Sequence, residues 1–346
     1  MLKNRKFIAY ALVIVTTLAA TFTFYFWQVA KSPNLNVEGK KTFVLYVPEG
    51  ATYETVVDSL EKNKMITDMV SFAFLAKLMK YRESVKAGRY EIPVNSGNKE
   101  ILSKLRGGYQ DPVKLTFNNV RMKSDLLKKV GSKFIFKPEE LSKLLSSQEA
   151  CNKYGFDTTT IMCMFLPDTY LVKWTTTPEK FMDRMHDEYK KYWTDTKVQK
   201  AESIGMNPVK VAVLASIVQS ETNKVDEMPR VAGAYINRMN INMPLQADPT
   251  VKFAVGDFSI KRILEKHLSI NSPYNTYRNT GLPPGPIALP EKNALDAVLN
   301  YEQHKYIYFC AKEDFSGYHN FAENYEDHLN NAKLYQDALN RAQIYH

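Results

Sequence analysis

An unbroken apolar stretch near the N-terminus is the first pattern along the chain. Residues 7–27 contain no charged side chain, and such a run is long enough to cross a hydrocarbon core of about 30 Å as a helix. The basic residues Lys3, Arg5 and Lys6 precede it. The positive-inside rule therefore predicts a cytoplasmic tail at 1–6 and places the rest of the chain outside. A cleaved signal peptide is the alternative, but the run exceeds a typical signal core and no good cleavage site follows promptly, so we expect a retained anchor.

Short strands and helices follow this anchor. Residues 28–41 are polar and contain proline and glycine, which is typical of a linker. Apolar positions that recur every two residues then predict strands, and those that recur every three or four residues predict helices. The strands are expected at 42–47 and 87–92, and the helices at 53–60, 69–79 and 98–105.

A partial repeat begins seventy residues after the first strand. The apolar positions of 113–117 parallel those of 43–47, and those of 126–130 parallel 56–60. Together these patterns predict an α+β protein. Its expected parts are a first βα module at 42–110, a second at 111–155 and a C-terminal domain at 156–346.

One helix of the C-terminal domain ends on a carboxylate. Asn207 followed by Pro208 is a typical helix start. The positions that then share one face are Val211, Leu214, Ile217, Val218 and Glu221. Because Glu221 lies at the end of an apolar face, lost solvation should raise its pKa toward the range of a general acid. The alternative is a helix-end glutamate that turns to water or pairs with Lys224 or Arg230.

Composition restricts the classes of function. The net charge is +9 over 346 residues, but the basic residues are scattered, so we expect no nucleic-acid partner. The cysteines Cys151, Cys163 and Cys310 are too few for a disulfide framework, and buried free thiols are expected. His319 and His328 are nine residues apart, a spacing that fits no metal motif. We therefore expect neither a metal nor another cofactor.

Several long strings in the C-terminal half occur in a distinctive order. They are Phe165-Leu-Pro-Asp-Thr-Tyr170, Ala234-Tyr-Ile-Asn-Arg238, Met243-Pro-Leu-Gln-Ala-Asp-Pro-Thr-Val251, Ser272-Pro-Tyr-Asn-Thr-Tyr277 and Gly281-Leu-Pro-Pro-Gly-Pro-Ile-Ala288. In this order they resemble the YceG-like family of membrane-anchored endolytic murein transglycosylases (MltG), from about Phe43 to the C-terminus. The family's Ile-Val-x-x-Glu-Thr string matches residues 217–222 here. The resemblance therefore implies that Glu221 is the catalytic acid.

The strings around Glu221 also indicate where substrate would bind. The expected contacts are Thr222, Asn237, Arg238, Gln246, Asp248, Tyr274, Asn275 and Thr276. Aromatic rings beside amide and hydroxyl groups, as at 274–276, are a common composition of sugar sites. Three alternatives stay open: Asp248 as an N-cap before Pro249, Arg238 facing solvent at a helix C-terminus, and 272–277 as a structural turn. His319 matches a family position, although a structural histidine is the favoured interpretation.

The resemblance implies a lyase that cleaves the MurNAc–GlcNAc β-1,4 bond of nascent peptidoglycan and leaves 1,6-anhydro-MurNAc ends, terminating strand elongation. It also implies a LysM-like first module, a catalytic domain outside the inner membrane, and peptidoglycan synthases as partners. The alternative for the two βα modules is that they only space and orient the catalytic domain. Two other functions stay open. A muramidase would need a second carboxylate such as Asp248 to manage a water, whereas a non-catalytic wall-binding scaffold would not need Glu221.

Overall fold

The computed structural model describes residues 2–35, 39, 41–260 and 262–344. Its helices are α1 (Leu2–Lys31), α2 (Tyr53–Lys62), α3 (Met69–Leu78), α4 (Asn98–Gly107), α5 (Lys123–Val130), α6 (Pro138–Ser146), α7 (Gln148–Asn152), α8 (Pro178–Tyr192), α9 (Asp195–Ser203), α10 (Pro208–Glu221), α11 (Met228–Asn240), α12 (Asp248–Val255), α13 (Glu265–Leu268), α14 (Lys292–Leu299) and α15 (Tyr325–Arg341). Its strands are β1 (Thr42–Val47), β2 (Gly88–Pro93), β3 (Val113–Thr116), β4 (Thr169–Val172), β5 (Tyr308–Ala311) and β6 (His319–Ala322). Within the described residues β1 pairs with β2, β3 with β4 and β5 with β6. The predicted α+β class is confirmed.

The described residues divide into two compact units. The N-terminal unit comprises the residues up to Lys114 together with Lys133–Phe136 and Leu171–Thr176. The C-terminal unit comprises Leu115–Ser132, Lys137–Tyr170 and the residues from Thr177 onward. The stretch predicted as a second βα module, 111–155, lies mostly in the C-terminal unit. Its strand β3 and helix α5 form as the repeat predicts, but β3 pairs with β4, which lies beyond the repeat.

An antiparallel pair of strands organises the N-terminal unit. The register of β1 and β2 runs from Thr42 opposite Pro93 to Val47 opposite Gly88. Helices α2, α3 and α4 bury apolar side chains in the core that these strands share. They include Val56, Leu60, Phe72, Leu75, Ile101, Leu102 and Leu105. The predicted elements of the first module are confirmed, with shifts of at most two residues at their ends.

Helix α1 has an exposed body and a buried end. The stretch Arg5–Lys31 is long and apolar enough to cross a membrane, and its window of highest hydropathy buries nothing against the protein. In contrast, Val29 and Ala30 near its C-terminal end are buried against the N-terminal unit. The side-chain amide of Asn98 donates a hydrogen bond to the carbonyl oxygen of Val29 at 3.0 Å.

The residues that follow α1 continue this contact. Pro33 forms a β-bridge with Gly97, and Leu35 forms one with Ile66. The prediction of a linker at 28–41 is therefore wrong for residues 28–35, because their apolar side chains and backbone groups have partners in the unit. Residues 36–38 and 40 of that prediction lie outside the described residues.

Helix α10 occupies the centre of the C-terminal unit. Every residue from Val211 to Val218 is buried, and α9, α11, α12 and α14 pack around the helix. The predicted apolar face is present, but neighbours cover the other sides as well, as expected for a helix with few polar residues. The predicted start is confirmed, because the side chain of Asn207 accepts a hydrogen bond from the backbone N–H of Lys210 at 2.9 Å and Pro208 is the first helical residue.

The three cysteines are free thiols. Cys151 and Cys163 are buried in the C-terminal unit, and Cys310 on β5 is partly buried. The expectation of buried free thiols agrees with Cys151 and Cys163, whereas Cys310 is only partly buried.

The junction between α1 and α4 leaves no room for a side chain at Gly97. A Cβ there would lie 2.7 Å from the carbonyl carbon and oxygen of Lys31 and 2.8 Å from the carbonyl oxygen of Ala30. These are backbone atoms, so relief requires the two segments to separate. We expect Gly97→Ala to lower the free energy of unfolding of the N-terminal unit by about 1–3 kcal/mol, as overpacking does elsewhere.

Denaturant unfolding in detergent measures this loss. Lys99→Ala is the matched control, since Lys99 is exposed in the same first turn of α4 and its truncation should change stability little. Equal stability of the two variants would mean that α1 is not packed on α4 as described.

Candidate active site

Glu221 is the last residue of the central helix α10. The next residue, Thr222, caps the helix and is buried, and its hydroxyl oxygen accepts a hydrogen bond from the backbone N–H of Lys224 at 3.0 Å. Thr222 therefore fixes the turn after the acid, and its bonded hydroxyl faces the protein. The carboxyl group of Glu221 is held where a buried helix reaches the edge of the core.

The carboxyl group has one close partner. Helix α11 buries Tyr235, whose hydroxyl donates a hydrogen bond to Oε1 of Glu221 at 2.6 Å. Among the described residues, Oε2 has no hydrogen-bond partner. The alternative of an ion-paired glutamate is wrong, because Arg230 binds Glu302 and the Lys224 ammonium lies over the ring of Tyr318. The side chain of Glu221 is partly exposed, but the hydrogen bond from Tyr235 holds it against α11, so it does not turn away into water.

Burial sets the protonation of this group. Loss of solvation raises the pKa of Glu221 to about 7, because its charged form has lost water. The hydrogen bond from Tyr235 opposes this by stabilising the carboxylate, as do the charges of Lys252 and Arg238, whereas the charge of Asp248 raises the pKa further. Burial also raises the pKa of the Tyr235 hydroxyl, which therefore stays a donor. The expectation of a raised pKa at Glu221 agrees with this environment.

Thr276 joins two of the distinctive strings of the C-terminal half, 243–251 and 272–277. Its hydroxyl oxygen accepts from the backbone N–H of Ala247 at 3.0 Å and lies 2.8 Å from the hydroxyl of Thr250. Its carbonyl oxygen accepts from the N–H of Gln246 at 3.1 Å. Thr276 is buried, so this side chain holds the loops together and does not present itself to a ligand.

Asn275 is likewise committed to the protein. It is 0% exposed, and its amide nitrogen donates to the carbonyl oxygens of Leu268 and Ile270, both at 2.9 Å. Its side-chain oxygen accepts from the backbone N–H of Tyr277 at 3.1 Å. The expectation of direct substrate contact by Asn275 and Thr276 is corrected to a structural role, because both side chains are buried and bonded.

Asp248 is not the N-cap of α12. Ala247 occupies the cap position, and Asp248 is the first helical residue, with an exposed side chain. The carboxylate accepts a hydrogen bond from the hydroxyl of Tyr277 at 2.6 Å. The capping alternative is therefore wrong, although Gly256 does end the helix with a φ of 78° as the sequence predicts. Asp248 remains open to a ligand and acts electrostatically on Glu221.

Arg238 and Asn237 bind backbone carbonyl groups. Arg238 is buried and donates to the carbonyl oxygens of Ile307 at 2.5 Å and Leu245 at 2.6 Å. Asn237 donates to the carbonyl oxygens of His304 and Tyr306 at 2.7 and 3.0 Å. The solvent-facing alternative for Arg238 is wrong. These two side chains fasten the loops at 244–246 and 304–307 to α11, and their bonds leave them few donors for a ligand.

The other predicted contacts differ in exposure. The ring of Tyr274 is half-buried and packs on Phe253 with ring centroids 4.7 Å apart. Gln246 is exposed and has a φ of 51°, a left-handed conformation that turns the chain just before α12. Its side-chain oxygen lies 3.5 Å from Nη1 of Arg238. Among the predicted contacts, Gln246 and Asp248 are thus the exposed side chains.

A groove of about 840 Å³ lies beside the C-terminal end of α10. Its wall includes residues on both sides of the acid and two basic side chains that make no ion pair within the described part of the chain, Arg121 and Lys252. The guanidinium of Arg121 lies 4.6 Å from the ring centroid of Phe258, which also lines the groove. The other lining residues include Gln219, Ser220, Asn223, Val225, Met228, Pro249, Ile287, Ala288 and Leu289. The groove offers polar groups and an aromatic ring beside residues that flank the acid in the chain, such as Ser220 and Asn223.

A second layer of contacts fixes Tyr235. The ring of Phe309 meets it edge-on with centroids 5.5 Å apart, and Phe309 also contacts His319 at 5.4 Å. The buried carboxylate of Glu227 lies 2.8 Å from Nδ1 of His319 and accepts from the His319 backbone N–H at 2.7 Å. These contacts agree with the interpretation of His319 as a structural residue.

Sequence reasoning missed Tyr235, Tyr277 and Glu227 as contributors to the site. Tyr235 and Tyr277 both lie within the distinctive strings. The sequence feature that could have indicated Tyr235 as a partner of the acid is a phenol on the next helix, fourteen residues after Glu221. No periodicity indicates Glu227, because its partner His319 is distant in sequence.

The buried amide of Asn275 provides a test of its structural role. We expect Asn275→Ala to lower the free energy of unfolding by about 1–3 kcal/mol, because two carbonyl oxygens and one N–H lose their partner. Asn271→Ala is the control, since Asn271 is exposed a few residues earlier. Denaturant unfolding of both variants measures the difference. Unchanged stability together with lost activity would restore Asn275 as a substrate contact.

Known proteins resemble this chain over most of its length. The sequence profile of the YceG-like family matches residues 45–334. An endolytic murein transglycosylase of Bacillus subtilis strain 168 is 25% identical over 292 residues, which cover 80% of this chain and 81% of the relative. An endolytic murein transglycosylase of Streptococcus pneumoniae is 26% identical over 363 residues. That alignment covers 93% of this chain but 64% of the relative, so the chain spans slightly less than two thirds of the pneumococcal protein.

A solved structure agrees with the fold. The crystal structure of a YceG-like protein from Listeria monocytogenes superposes with a TM-score of 0.53 at 25% sequence identity. The match covers 84% of this chain and 99% of the Listeria chain. The family profile covers well over half of the residues, and the chain therefore belongs to the YceG-like family.

Proposed function

We propose that this chain is an endolytic lytic transglycosylase that cleaves the MurNAc–GlcNAc β-1,4 bond of peptidoglycan strands. The observation that carries the proposal is the environment of Glu221, a desolvated carboxyl with a pKa raised to about 7 beside a polar groove. A general acid is most effective when its pKa lies near the working pH. The two relatives named as endolytic murein transglycosylases support the same reaction.

One carboxyl group is sufficient for this chemistry. Protonated Glu221 gives its proton to the bridging oxygen, and the bond between that oxygen and C1 of MurNAc breaks. The 6-hydroxyl of the same sugar then attacks the oxocarbenium-like C1, and the carboxylate of Glu221 accepts the hydroxyl proton. The products are a new GlcNAc hydroxyl end and a 1,6-anhydro-MurNAc end, and Glu221 is again protonated.

Tyr235 has a defined part in this cycle. Its hydroxyl binds Oε1 and so directs proton transfer to Oε2, which has no partner among the described residues. The same hydrogen bond stabilises the carboxylate that forms after the first proton transfer. Tyr235 is thus a positioning residue that also prevents the pKa of Glu221 from rising further.

The surroundings of Glu221 supply the substrate contacts in this proposal. Gln246, Asp248 and the groove residues Arg121 and Lys252 are exposed or partly exposed and able to contact the glycan and its peptide stems. Thr222, Asn237, Arg238, Asn275 and Thr276 act by holding the loops, and Tyr274 acts through its packing.

We also propose that α1 anchors the chain in the inner membrane with its N-terminus in the cytoplasm and the catalytic unit outside. The uncharged helix and the basic tail before it support this orientation. A LysM-like role for the N-terminal unit is supported by its β1-α2-α3-β2 order. Partnership with peptidoglycan synthases and termination of strand elongation stay predictions from the family resemblance.

A muramidase reaction is the second candidate. Asp248 is exposed, its carboxylate is held by the Tyr277 hydroxyl, and its charge acts on Glu221, so a second carboxylate is present near the acid. In a muramidase this group would activate a water and leave a reducing MurNAc end. The new ends of the glycan strands distinguish the two reactions, since a lytic transglycosylase leaves anhydro ends and a muramidase leaves reducing ends. A non-catalytic scaffold would leave the strands uncut.

The Glu221→Gln variant tests the role of the acid. It keeps the shape of the side chain but removes the transferable proton, so we expect release of anhydro-ended fragments from purified sacculi to fall by at least about 100-fold. Mass spectrometry of the released fragments measures it. Glu202→Gln, an exposed change on α9, is the control and should retain parental activity.

The same variant has a predictable effect on stability. Folding raises the pKa of Glu221 from 4.5 to about 7, so its contribution to stability is fully present below pH 4.5 and is lost as the pH rises through about 7. Glu221→Gln should remove this dependence and be at least as stable as the parent above pH 7.

In the activity test, fragment release by Glu221→Gln near the parental rate would refute the assignment of the acid. Reducing ends released by the parent would favour the muramidase.

A further inference from the structure

Helix α3 in the N-terminal unit is apolar on nearly every side. Its sequence is Met-Val-Ser-Phe-Ala-Phe-Leu-Ala-Lys-Leu. One face buries Phe72, Leu75 and Ala76 in the core of the unit. A helix that is hydrophobic all round is normally covered all round, either by protein or by lipid. The protein covers α3 on one side only.

The uncovered side carries an apolar stripe, defined by Val70, Phe74 and Leu78. These side chains are 81%, 53% and 57% exposed, and their spacing of four residues places them along one face. Single exposed apolar residues are ordinary on protein surfaces, but a row of three on one short helix is typical of an interaction surface.

The beginning of α3 is fixed to the end of α1 by two buried asparagines. The side-chain amide of Asn98 donates to the carbonyl oxygen of Val29 and to the hydroxyl of Ser71, both at 3.0 Å. The amide of Asn34 donates to the carbonyl oxygen of Asp68 at 2.9 Å, and its oxygen accepts from the Asp68 N–H at 2.7 Å. The first turn of α3 is therefore in contact with the last turn of the membrane-spanning helix.

This contact holds the start of α3 close to the end of α1. Val29 lies two residues after Trp27, an aromatic residue of the kind that lies at the membrane interface. Since Ser71 is one hydrogen-bonding side chain away from Val29, its neighbour Val70 lies close to the same level. The N-terminal end of the exposed apolar stripe, at Val70, is thus held beside the C-terminal end of α1.

We propose that the exposed apolar stripe of α3 inserts into the outer headgroup region of the membrane beside α1. The inference rests on the proposed anchoring of α1. Interfacial helices bury their apolar face about 5–10 Å deep at the boundary between headgroups and acyl chains. Lys77 and Lys80 are exposed at the C-terminal end of α3, where their chains can reach anionic lipid headgroups. The N-terminal unit then lies against the bilayer and does not swing on a flexible tether.

Tryptophan quenching in proteoliposomes tests the insertion. The full chain carrying Phe74→Trp is reconstituted into phosphatidylethanolamine and phosphatidylglycerol, with part of the lipid replaced by brominated phosphatidylcholine. The emission added by Trp at position 74 should fall by roughly half, and more with bromine near the headgroup end of the acyl chain than with bromine near its middle. Leu78→Trp should respond in the same way.

Tyr109→Trp is the matched control. Tyr109 is an exposed aromatic residue of the same unit, beyond the end of α4 that is opposite to Asn98. Its added emission should be insensitive to brominated lipid. Quenching at positions 74 and 78 no greater than at 109 would overturn the insertion and indicate a protein partner or a second copy on the stripe.

The anchor is tested in the same vesicles by comparing the parent with Trp27→Phe. Loss of the quenched component in Trp27→Phe supports the anchor on which the insertion rests. If the emission of Trp27 is not quenched in the parent, both the anchor and the insertion are wrong. Quenched Trp27 with unquenched Trp at 74 overturns the insertion alone and leaves the proposed function intact.

Discussion

The hydrogen bond from Tyr235 to Glu221 is the interaction on which the rest of the site depends. A carboxyl at the end of a buried helix loses much of its water, and this desolvation favours its protonated form and raises its pKa. A phenol that donates to one oxygen moderates this effect and leaves the other oxygen for the reaction. Desolvation, this hydrogen bond and the nearby charges together give Glu221 a pKa of about 7, at which the group can both lose and regain a proton.

This hydrogen bond requires a fixed distance between two helices. The close packing of α10 and α11 positions the two side chains. Phe309 and His319 support the ring of Tyr235 from the β5–β6 hairpin, and Glu227 at the start of α11 holds His319. Thr276 and Asn275 give the facing loops a defined shape through buried hydrogen bonds. Most of the polar residues near the acid therefore hold the structure, and few of them are left to bind the substrate.

The difference between polar residues that hold the structure and those that are free to bind substrate explains what could be predicted from the sequence and what could not. The start of α10 and the position of Glu221 followed from a cap, a proline and an apolar period, which are local properties. The roles of Asn275, Thr276 and Arg238 did not, because the same polar side chain serves a ligand or a backbone carbonyl, depending on contacts with distant residues. Asp248 illustrates the limit: Asp-Pro is typical of a helix start, yet the cap falls one residue earlier at Ala247 and frees the carboxylate for Tyr277. Similarly, the proline and glycine residues at 28–41 indicated a linker. In the structure the buried side chains of Asn34 and Asn98 fasten this region to α3 and α4.

The direct test is the titration of the Glu221 carboxyl itself, by carbon-13 NMR of the folded chain, with Glu221→Gln to assign the signal. A midpoint near 7 is expected for the parent, because burial outweighs the hydrogen bond. In Tyr235→Phe the midpoint should move higher, since the carboxylate loses the donor that stabilises it. A parental midpoint near the ordinary value of 4.5, or no upward change in Tyr235→Phe, would contradict the role of Glu221 as a desolvated acid controlled by Tyr235.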